Sequence, residues 1–470
     1  MAYYNAMHGV LGTLYQNEII TLAEGGENPD WGFDYNVFAD AAVWLHDRGK
    51  FTASMLKEEP AQKVWAETVR VLGNAFGGSI THEVPDALLA ALNNNAFIFS
   101  GFKTYHSLQE LGLKLTDEKG EIKPFNTFLG DVQQVNAKYN QNYLYAEYNH
   151  AVHTSQMAVK WHDFEEDEDR YNLQYRTAGD EKVRQEHAAL DGTTLPPSDP
   201  FWEQYLPPNG WNCRCNVVQV LKNKYPVSDS AQAISSGDYA TAEPKQQIFR
   251  FNAGKTLELF PPKHPYYKAP PEAKAEIGIK RISKKEYAEL EAHSRFGELI
   301  KLVKEYYRDK APELDYYERA AMRYYSGDGY TYLNKHNRGE GKTDDWDRYK
   351  AFNNACSKVL DNAIFKKAAK YEGVCYRGTK LTQTQIAKYR TAWLNDKPIT
   401  EKHFLSTSYA QDSAFNGNVF YQITSKTGVK IEDLSRFSNE KEVLFRRGTK
   451  FRVTAMEVEA GNYVIKMEEI

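Results

Sequence analysis

Residues 440–445 read Glu440-Lys441-Glu442-Val443-Leu444-Phe445, and Arg447-Gly448-Thr449-Lys450-Phe451 follow almost at once. Two carboxylates stand two positions apart at the head of an apolar run, on one side of it if the segment is extended. Val443 to Phe445 and Lys450 to Glu457 read as strands, and so do Val374 to Arg377, Phe404 to Ser408, Val419 to Ile423 and Tyr463 to Met467. Everything after Gly373 is thus a succession of short strands. Before it the period is helical. Ser283 and Glu286 form a capping box ahead of Tyr287, Leu290, Phe296, Ile300, Val303 and Tyr307, and a second helix from Asp344 to about Lys370 carries Trp346, Tyr349, Phe352, Cys356, Val359 and Ala363. Helices followed by strands predict an α+β domain.

Further toward the N-terminus, residues 222–275 hold Pro226, a Ser/Ala/Gly stretch through Gly237, and Pro261, Pro262, Pro265, Pro270 and Pro271. Proline at that density breaks helices and strands alike, which predicts an inter-domain connection. Residues 1–221 read mainly as helix. The clearest case runs from Asp131, as N-cap, to Trp161, with Val132, Val135, Tyr139, Tyr143, Ala146, His150, His153 and Met157 at three- and four-residue steps. Its two histidines read as packing residues, since no third ligand falls in register. The expected organisation is therefore 1–221, a connection over 222–275, and 276–470, in keeping with a 470-residue chain that exceeds what one core serves.

Hydrophobic residues at 41% and charged residues at 26% exclude wholesale disorder and fibrous structure. The 59 Lys and Arg against 63 Asp and Glu leave a formal charge of -4, so there is no global basic field to hold nucleic acid, a local basic patch stays open, and no nucleic-acid binding is indicated for the C-terminal α+β domain. No apolar run approaches membrane-spanning length, and Met1 to Ile20 lacks a signal-peptide pattern, so the expectation is a cytosolic site of synthesis without membrane association. Four cysteines at Cys213, Cys215, Cys356 and Cys375 suit a reducing compartment rather than a disulfide framework.

Tyr376-Arg377-Gly378, Phe404-Leu405-Ser406-Thr407-Ser408 and Glu440-Lys441-Glu442, in this order, resemble the arginine, serine–threonine–serine and E-x-E signature of toxin-type, iota-toxin-like ADP-ribosyltransferases. Tyr325-Ser326-Gly327 with Tyr332-Leu333-Asn334 looks like the upstream helix-to-loop segment of that branch. The resemblance, over roughly 283–470, implies helices followed by a split β-sandwich, with NAD as substrate. It implies Arg377 on the phosphates, Ser406 orienting Glu442, and Glu442 on the ribose beside the developing oxocarbenium. Gly378, Thr407, Ser408, Asn334 and Phe415 belong to its NAD-binding set. Glu440 matches the position whose Glu accompanies arginine modification by engaging the guanidinium, and Phe437 the aromatic that faces the target. Between Ala414 and Val419 the second phosphate-binding arginine of several toxins is missing.

Arg176-Thr177-Ala178-Gly179-Asp180, Glu186-His187 to Asp191-Gly192, Asp199-Pro200-Phe201-Trp202 and Pro207-Pro208-Asn209-Gly210-Trp211-Asn212-Cys213-Arg214-Cys215 resemble phage Mu-type (MuF-like) minor head morphogenesis proteins. That implies a virion component near the portal, with portal and head proteins as partners. Cys213 and Cys215 with His187 and Asp191 suit zinc chemically, but C-x-C is a poorer zinc signal than C-x-x-C, and the favoured reading is buried small apolar cysteines with no metal.

Together the two resemblances imply an NAD-dependent, arginine-specific mono-ADP-ribosyltransferase effector carried on a phage minor head protein. Its expected partners are a protein target with an acceptor arginine, the head and portal, and an immunity protein. Its expected places are the bacterial cytoplasm during phage assembly, the virion, and the host cytoplasm after delivery. The alternatives are a structural head protein with an inactive C-terminal domain, and an NAD glycohydrolase that uses water as acceptor.

Overall fold

The computed structural model describes residues 10–11, 13–15, 32–77, 84–340, 344–367, 369–414 and 417–470, with backbone alone for 344–348. The expected site residue Phe415 and the side chain of Trp346 lie outside these. The chain separates into two units, Met1–Ile277 and Gly278–Ile470. Among the described residues no helix is long and apolar enough to cross a membrane.

In the first unit, helices of eight or more residues are α1 (Tyr35–Arg48), α2 (Glu59–Gly77), α3 (Asp86–Leu113), α4 (Phe125–Asn136), α5 (Leu144–Glu166) and α6 (Ser230–Ala240). Helix α3 is buried on nearly every face, polar residues included. A Cβ at Gly101 would sit 2.3 Å from the Trp65 ring, so only glycine lets α2 approach α3 this closely. Lys103 on α3 and Glu147 on α5 form an ion pair of 2.8 Å with side chains 1% and 0% exposed. The Tyr15 and Tyr266 hydroxyls donate to the same carboxylate at 2.8 and 3.2 Å, and Lys103 also donates to the Tyr139 carbonyl at 2.6 Å. Such a pair is tolerated in the interior because further hydrogen bonds support both charges.

The helix expected from Asp131 begins earlier. It opens after Pro124, and Asp131 lies inside α4, where it pairs with Lys114 and Lys123 instead of capping. A π-helical segment, Ala137–Tyr143, joins α4 to α5 and shifts the phase of the apolar stripe. The N-terminal region also holds strands that its helical periodicity concealed: β1 (Tyr171–Arg176), β2 (Thr194–Leu195) and β3 (Asn216–Leu221) form an antiparallel sheet in the order β2-β1-β3.

Residues 222–275 are not an exposed spacer. Phe249, Phe251, Leu259, Phe260 and Tyr266 are buried, and Asn95 of α3 accepts from the Leu259 and Phe260 amides at 3.0 Å each. Phe260 stacks on Phe99 with ring centres 3.8 Å apart. Several of the prolines start elements rather than abolish them. Pro265 opens a 3-10 turn and Pro271 a short helix, positions where a missing N–H costs nothing.

The second unit continues with α7 (Lys284–Ala292), α8 (Ser294–Tyr306), α9 (Tyr316–Tyr324), α10 (Tyr330–Arg338), α11 (Asp344–Lys366) and α12 (Gln383–Leu394). The predicted Ser283–Glu286 capping box is formed. The stripe read as one helix is two, because the His293 side chain turns back to accept from the Phe296 amide and caps α8. The strands are β4 (Gly373–Thr379), β5 (Ile399–Thr400), β6 (Leu405–Ser408), β7 (Val419–Ser425), β8 (Val429–Lys430), β9 (Glu442–Phe445), β10 (Lys450–Glu459) and β11 (Asn462–Glu469). Their order is β5-β10-β11-β7-β4-β6-β9-β8, antiparallel except where β11 meets β7. The molecule is thus multidomain, mainly α first and α+β second.

Replacing Lys103 by Met should destabilise the first unit by about 3–5 kcal/mol in urea unfolding, since it strands a buried carboxylate. Burial already pushes the Glu147 carboxyl upward against the pull of Lys103. Without the lysine it takes up a proton at higher pH, so the deficit should shrink as the pH falls.

Candidate active site

Strands β6 and β9 pair in the register Leu405↔Phe445, Ser406↔Leu444, Thr407↔Val443 and Ser408↔Glu442. With a side-chain period of two, Ser406, Ser408 and Glu442 share one face, with Ser408 directly opposite Glu442 and Ser406 diagonal to it. Thr407 turns the other way, and its hydroxyl donates to the Val443 carbonyl at 2.8 Å, fastening the two strands.

Strand β4 meets β6 at a single residue pair, Tyr376↔Ser408. Beyond it the strands part, and the Arg377 guanidinium donates to the Ser406 carbonyl at 2.5 Å across the gap. The opening is lined by Tyr376, Arg377, Ser406, Thr407, Ser408, Ser413, Ala414, Glu440 and Glu442. Six expected site residues therefore meet at one place: Arg377, Ser406, Thr407, Ser408, Glu440 and Glu442.

The segment carrying the two glutamates is not extended. Ser438–Glu440 is a 3-10 turn and Lys441 is left-handed, with φ 50° and ψ 48°. This backbone, costly for a residue with a Cβ, folds Glu440 back toward the opening that Glu442 enters from the head of β9. The Tyr409 amide donates to the Lys441 carbonyl at 3.1 Å and holds the turn against β6.

Glu442 is 4% exposed. Burial pushes its carboxyl up to about 7; the Ser406 hydroxyl pulls down, Glu440 pushes up and Arg377 pulls down. Glu440 is also raised, by burial. Two carboxyls and one guanidinium thus converge where a hydroxyl favours the ionised form of one carboxyl. That combination suits a developing positive charge next to an anionic group.

Other expected residues lie elsewhere. Asn334, on α10, is buried; it accepts from the Phe404 amide at 3.2 Å and donates to the Tyr325 hydroxyl at 3.1 Å, which fixes the start of β6. Gly378 pairs with Phe420 in the ladder and does not line the opening. Phe437 stands 44% exposed just before the Ser438–Glu440 turn. Sequence reasoning missed Arg323, and it gave Ser326 no role beyond the helix-to-loop segment. Arg323 donates to the Leu434 and Ser435 carbonyls at 3.3 Å each, and the Ser326 hydroxyl accepts from the Arg436 amide at 2.9 Å. They tie the stretch leading into Phe437 to the helices, at a separation of about 110 residues that no local pattern betrays.

In the first unit, His187, Cys213 and Cys215 come together, all buried. Asp191 does not join them. Its carboxylate accepts from the Thr177 amide and hydroxyl at 2.8 and 3.0 Å.

Residues 112–218 match the family model described as Phage Mu protein F like protein, and residues 301–470 that described as ADP-ribosyltransferase exoenzyme. Over 162 residues the chain is 37% identical to Mav of Mycobacterium avium, named as an NAD(+)–arginine ADP-ribosyltransferase; the match covers 33% of this chain and 18% of that protein. Over 134 residues it is 30% identical to the NAD(+)–protein-arginine ADP-ribosyltransferase Tre1 of Serratia proteamaculans, covering 28% and 27%. Over 107 residues it is 31% identical to a protein named capsid assembly protein F of Escherichia phage Mu, covering 22% and 21%. The chain thus spans only about a fifth to a quarter of the length of these relatives.

The raised Glu442 carboxyl has a consequence for stability. Folded, it titrates at about 7, against 4.5 for a free side chain, so its protonated form favours the fold and that contribution is lost as the pH rises through 7. Glu442→Gln should therefore raise the stability of the second unit by about 3 kcal/mol at pH 8, with the gain vanishing toward pH 4.5. Calorimetry of the full chain across that range measures it.

Proposed function

We propose that this chain, which joins a Phage Mu protein F like segment to an ADP-ribosyltransferase exoenzyme segment, transfers ADP-ribose from NAD to arginine side chains of a protein target. The observation that carries this reading is the convergence of Arg377, Ser406, Glu440 and Glu442 on the opening between β4 and β6. An inactive remnant would have no need to keep a carboxyl buried at a stability cost beside a guanidinium.

NAD enters as substrate. Arg377 offers its planar fork to the pyrophosphate, a contact that would compete with its present bond to the Ser406 carbonyl. Cleavage of the bond between nicotinamide and ribose leaves cationic character on the sugar, and the ionised Glu442 carboxylate stabilises it from a position set by Ser406. The leaving nicotinamide departs neutral with the bonding electrons, and the acceptor nitrogen then forms the new bond to the ribose carbon and gives up its proton. Glu440, nearer to solvent than Glu442, engages the incoming guanidinium and receives that proton. The exposed Phe437 offers apolar surface to the target backbone. Because Glu442 must be ionised, kcat/KM for NAD falls as the pH drops below about 7.

We assign the chemistry to the C-terminal segment, expected from residue 276 and beginning as a folded unit at Gly278. We assign the N-terminal segment to attachment in a phage head, with portal and head proteins as partners. The virion then carries the enzyme from the bacterial cytoplasm, where particles assemble, to a recipient. An immunity protein in the producing cell fits this reading.

Glu442→Gln should abolish both NAD cleavage and transfer, with a loss of about 3 kcal/mol in the barrier, a hundredfold or more in rate. Glu440→Gln should suppress transfer to arginine while keeping much of the NAD cleavage. If the two activities fall together in the Glu440 variant, Glu440 belongs to the cleavage step. If wild-type protein cleaves NAD but labels no protein in a host lysate, the glycohydrolase reading wins.

Deleting residues 1–277 should leave the solution activity intact and remove the enzyme from purified particles. Packaging of 278–470 unaided would disprove the division of labour.

A further inference from the structure

The loop from residue 177 to 215 leaves the end of β1 at Arg176 and returns at Asn216, the first residue of β3 and the register partner of Arg176. Near its close, Cys213-Arg214-Cys215 leads into β3. In nearly extended backbone, residues two apart share a face. Both cysteines point inward, 4% and 7% exposed, while Arg214 points out and pairs with Asp180 at 2.6 Å. Here C-x-C presents two sulfurs side by side, which a helix would not allow. The short helix Gln185–Ala188 brings His187, 2% exposed, against them.

We propose that His187, Cys213 and Cys215 hold one zinc ion, at a site independent of the transferase chemistry. His187 Nδ1 lies 3.6 Å from the Cys213 sulfur and 3.7 Å from the Cys215 sulfur, and all three donor atoms fall within 4.8 Å of one another. Zinc bonds of about 2.3 Å to sulfur and about 2.0 Å to nitrogen, opened to the tetrahedral angle, set nitrogen and sulfur about 3.5 Å apart. The observed separations match that edge for both sulfurs at once. A single imidazole–thiol hydrogen bond accounts for one such contact; the near-equal approach of both sulfurs to one nitrogen is what a shared ion adds.

The donor set chooses the metal. Two thiols and an imidazole suit zinc and exclude calcium and magnesium, which take oxygen ligands. With Asp191 engaged by Thr177, the described residues supply three ligands, and the fourth position is left to water. Binding requires both thiols to ionise and releases their protons. The ion would then tie a residue early in the 177–215 excursion to its last residues, closing it beneath the β1–β3 pair. Its effect would be on the folding of the first unit, and so on attachment rather than catalysis.

The full chain, expressed in zinc-supplemented medium and purified with reductant, should carry about one zinc per molecule by elemental analysis. The Cys213→Ser/Cys215→Ser double variant should carry none while NAD cleavage by the second unit persists. Since the double variant could lose the fold of the first unit, wild-type protein is also stripped with a chelator and titrated with cobalt. A thiolate-to-cobalt charge-transfer band saturating at about one equivalent, with protection of both thiols from a thiol reagent, supports the site. Metal-free wild-type protein that gives no such band, zinc retained by the double variant, or a stable Cys213–Cys215 disulfide unaffected by zinc would each overturn it.

Discussion

Strands β4 and β6 share one residue pair and then separate, and the candidate site of the second unit depends on that parting. A complete ladder would close the space in which the carboxyls lie. In place of backbone bonds the Arg377 guanidinium spans to the Ser406 carbonyl, so a charged side chain does part of the work of the sheet and stays within reach of the opening. On the far side, the β6–β9 register leaves no freedom. A slip of one residue would carry Ser406 and Ser408 to the opposite face and leave Glu442 without its hydroxyl.

That register is enforced from outside the sheet. Asn334 and Tyr325 hold the Phe404 backbone at the head of β6. The Arg447 guanidinium lies 5.3 Å from the Phe404 ring and is anchored by Asp361 and Asn337 at 2.6 and 2.7 Å. The helices preceding the sheet are therefore its mounting. Arg323 and Ser326 extend the same mounting to the loop before Phe437.

Both units bury a glutamate, and the contrast between them separates support from chemistry. Glu147 accepts from Lys103, Tyr15 and Tyr266, three donors on one buried carboxylate. Glu442 has the Ser406 hydroxyl, a guanidinium nearby and a second carboxyl that repels it, and it faces an opening. A buried charge with every partner in place locks a fold. One left incompletely matched is poised for a charged ligand, at a cost in stability.

Much was legible in the sequence because it is written locally. The Ser283 cap and the strands after Gly373 follow from period and residue type, and Arg377, Ser406, Glu440 and Glu442 were picked out by their ordered resemblance to the ADP-ribosyltransferase signature. The α+β order of the second unit follows from period too. What the sequence could not carry was long-range or context-dependent. The prolines of 222–275 suggested a spacer, yet contact with α3 recruited Phe260 and Tyr266 into the core of the first unit. The long helix starts after Pro124 rather than at Asp131, and a π-helical segment interrupts it at Ala137–Tyr143. Asn334 proved a brace for β6 rather than a lining residue, and Glu440 reached the opening through a left-handed turn rather than an extended strand. Asp191 left the cysteine cluster for a turn at Thr177. Buried partners such as Phe99 for Phe260 and Phe404 for Asn334 were chosen by packing between segments far apart in the chain. Local periodicity encodes the side of an element on which a side chain lies; only the tertiary structure decides what stands opposite it.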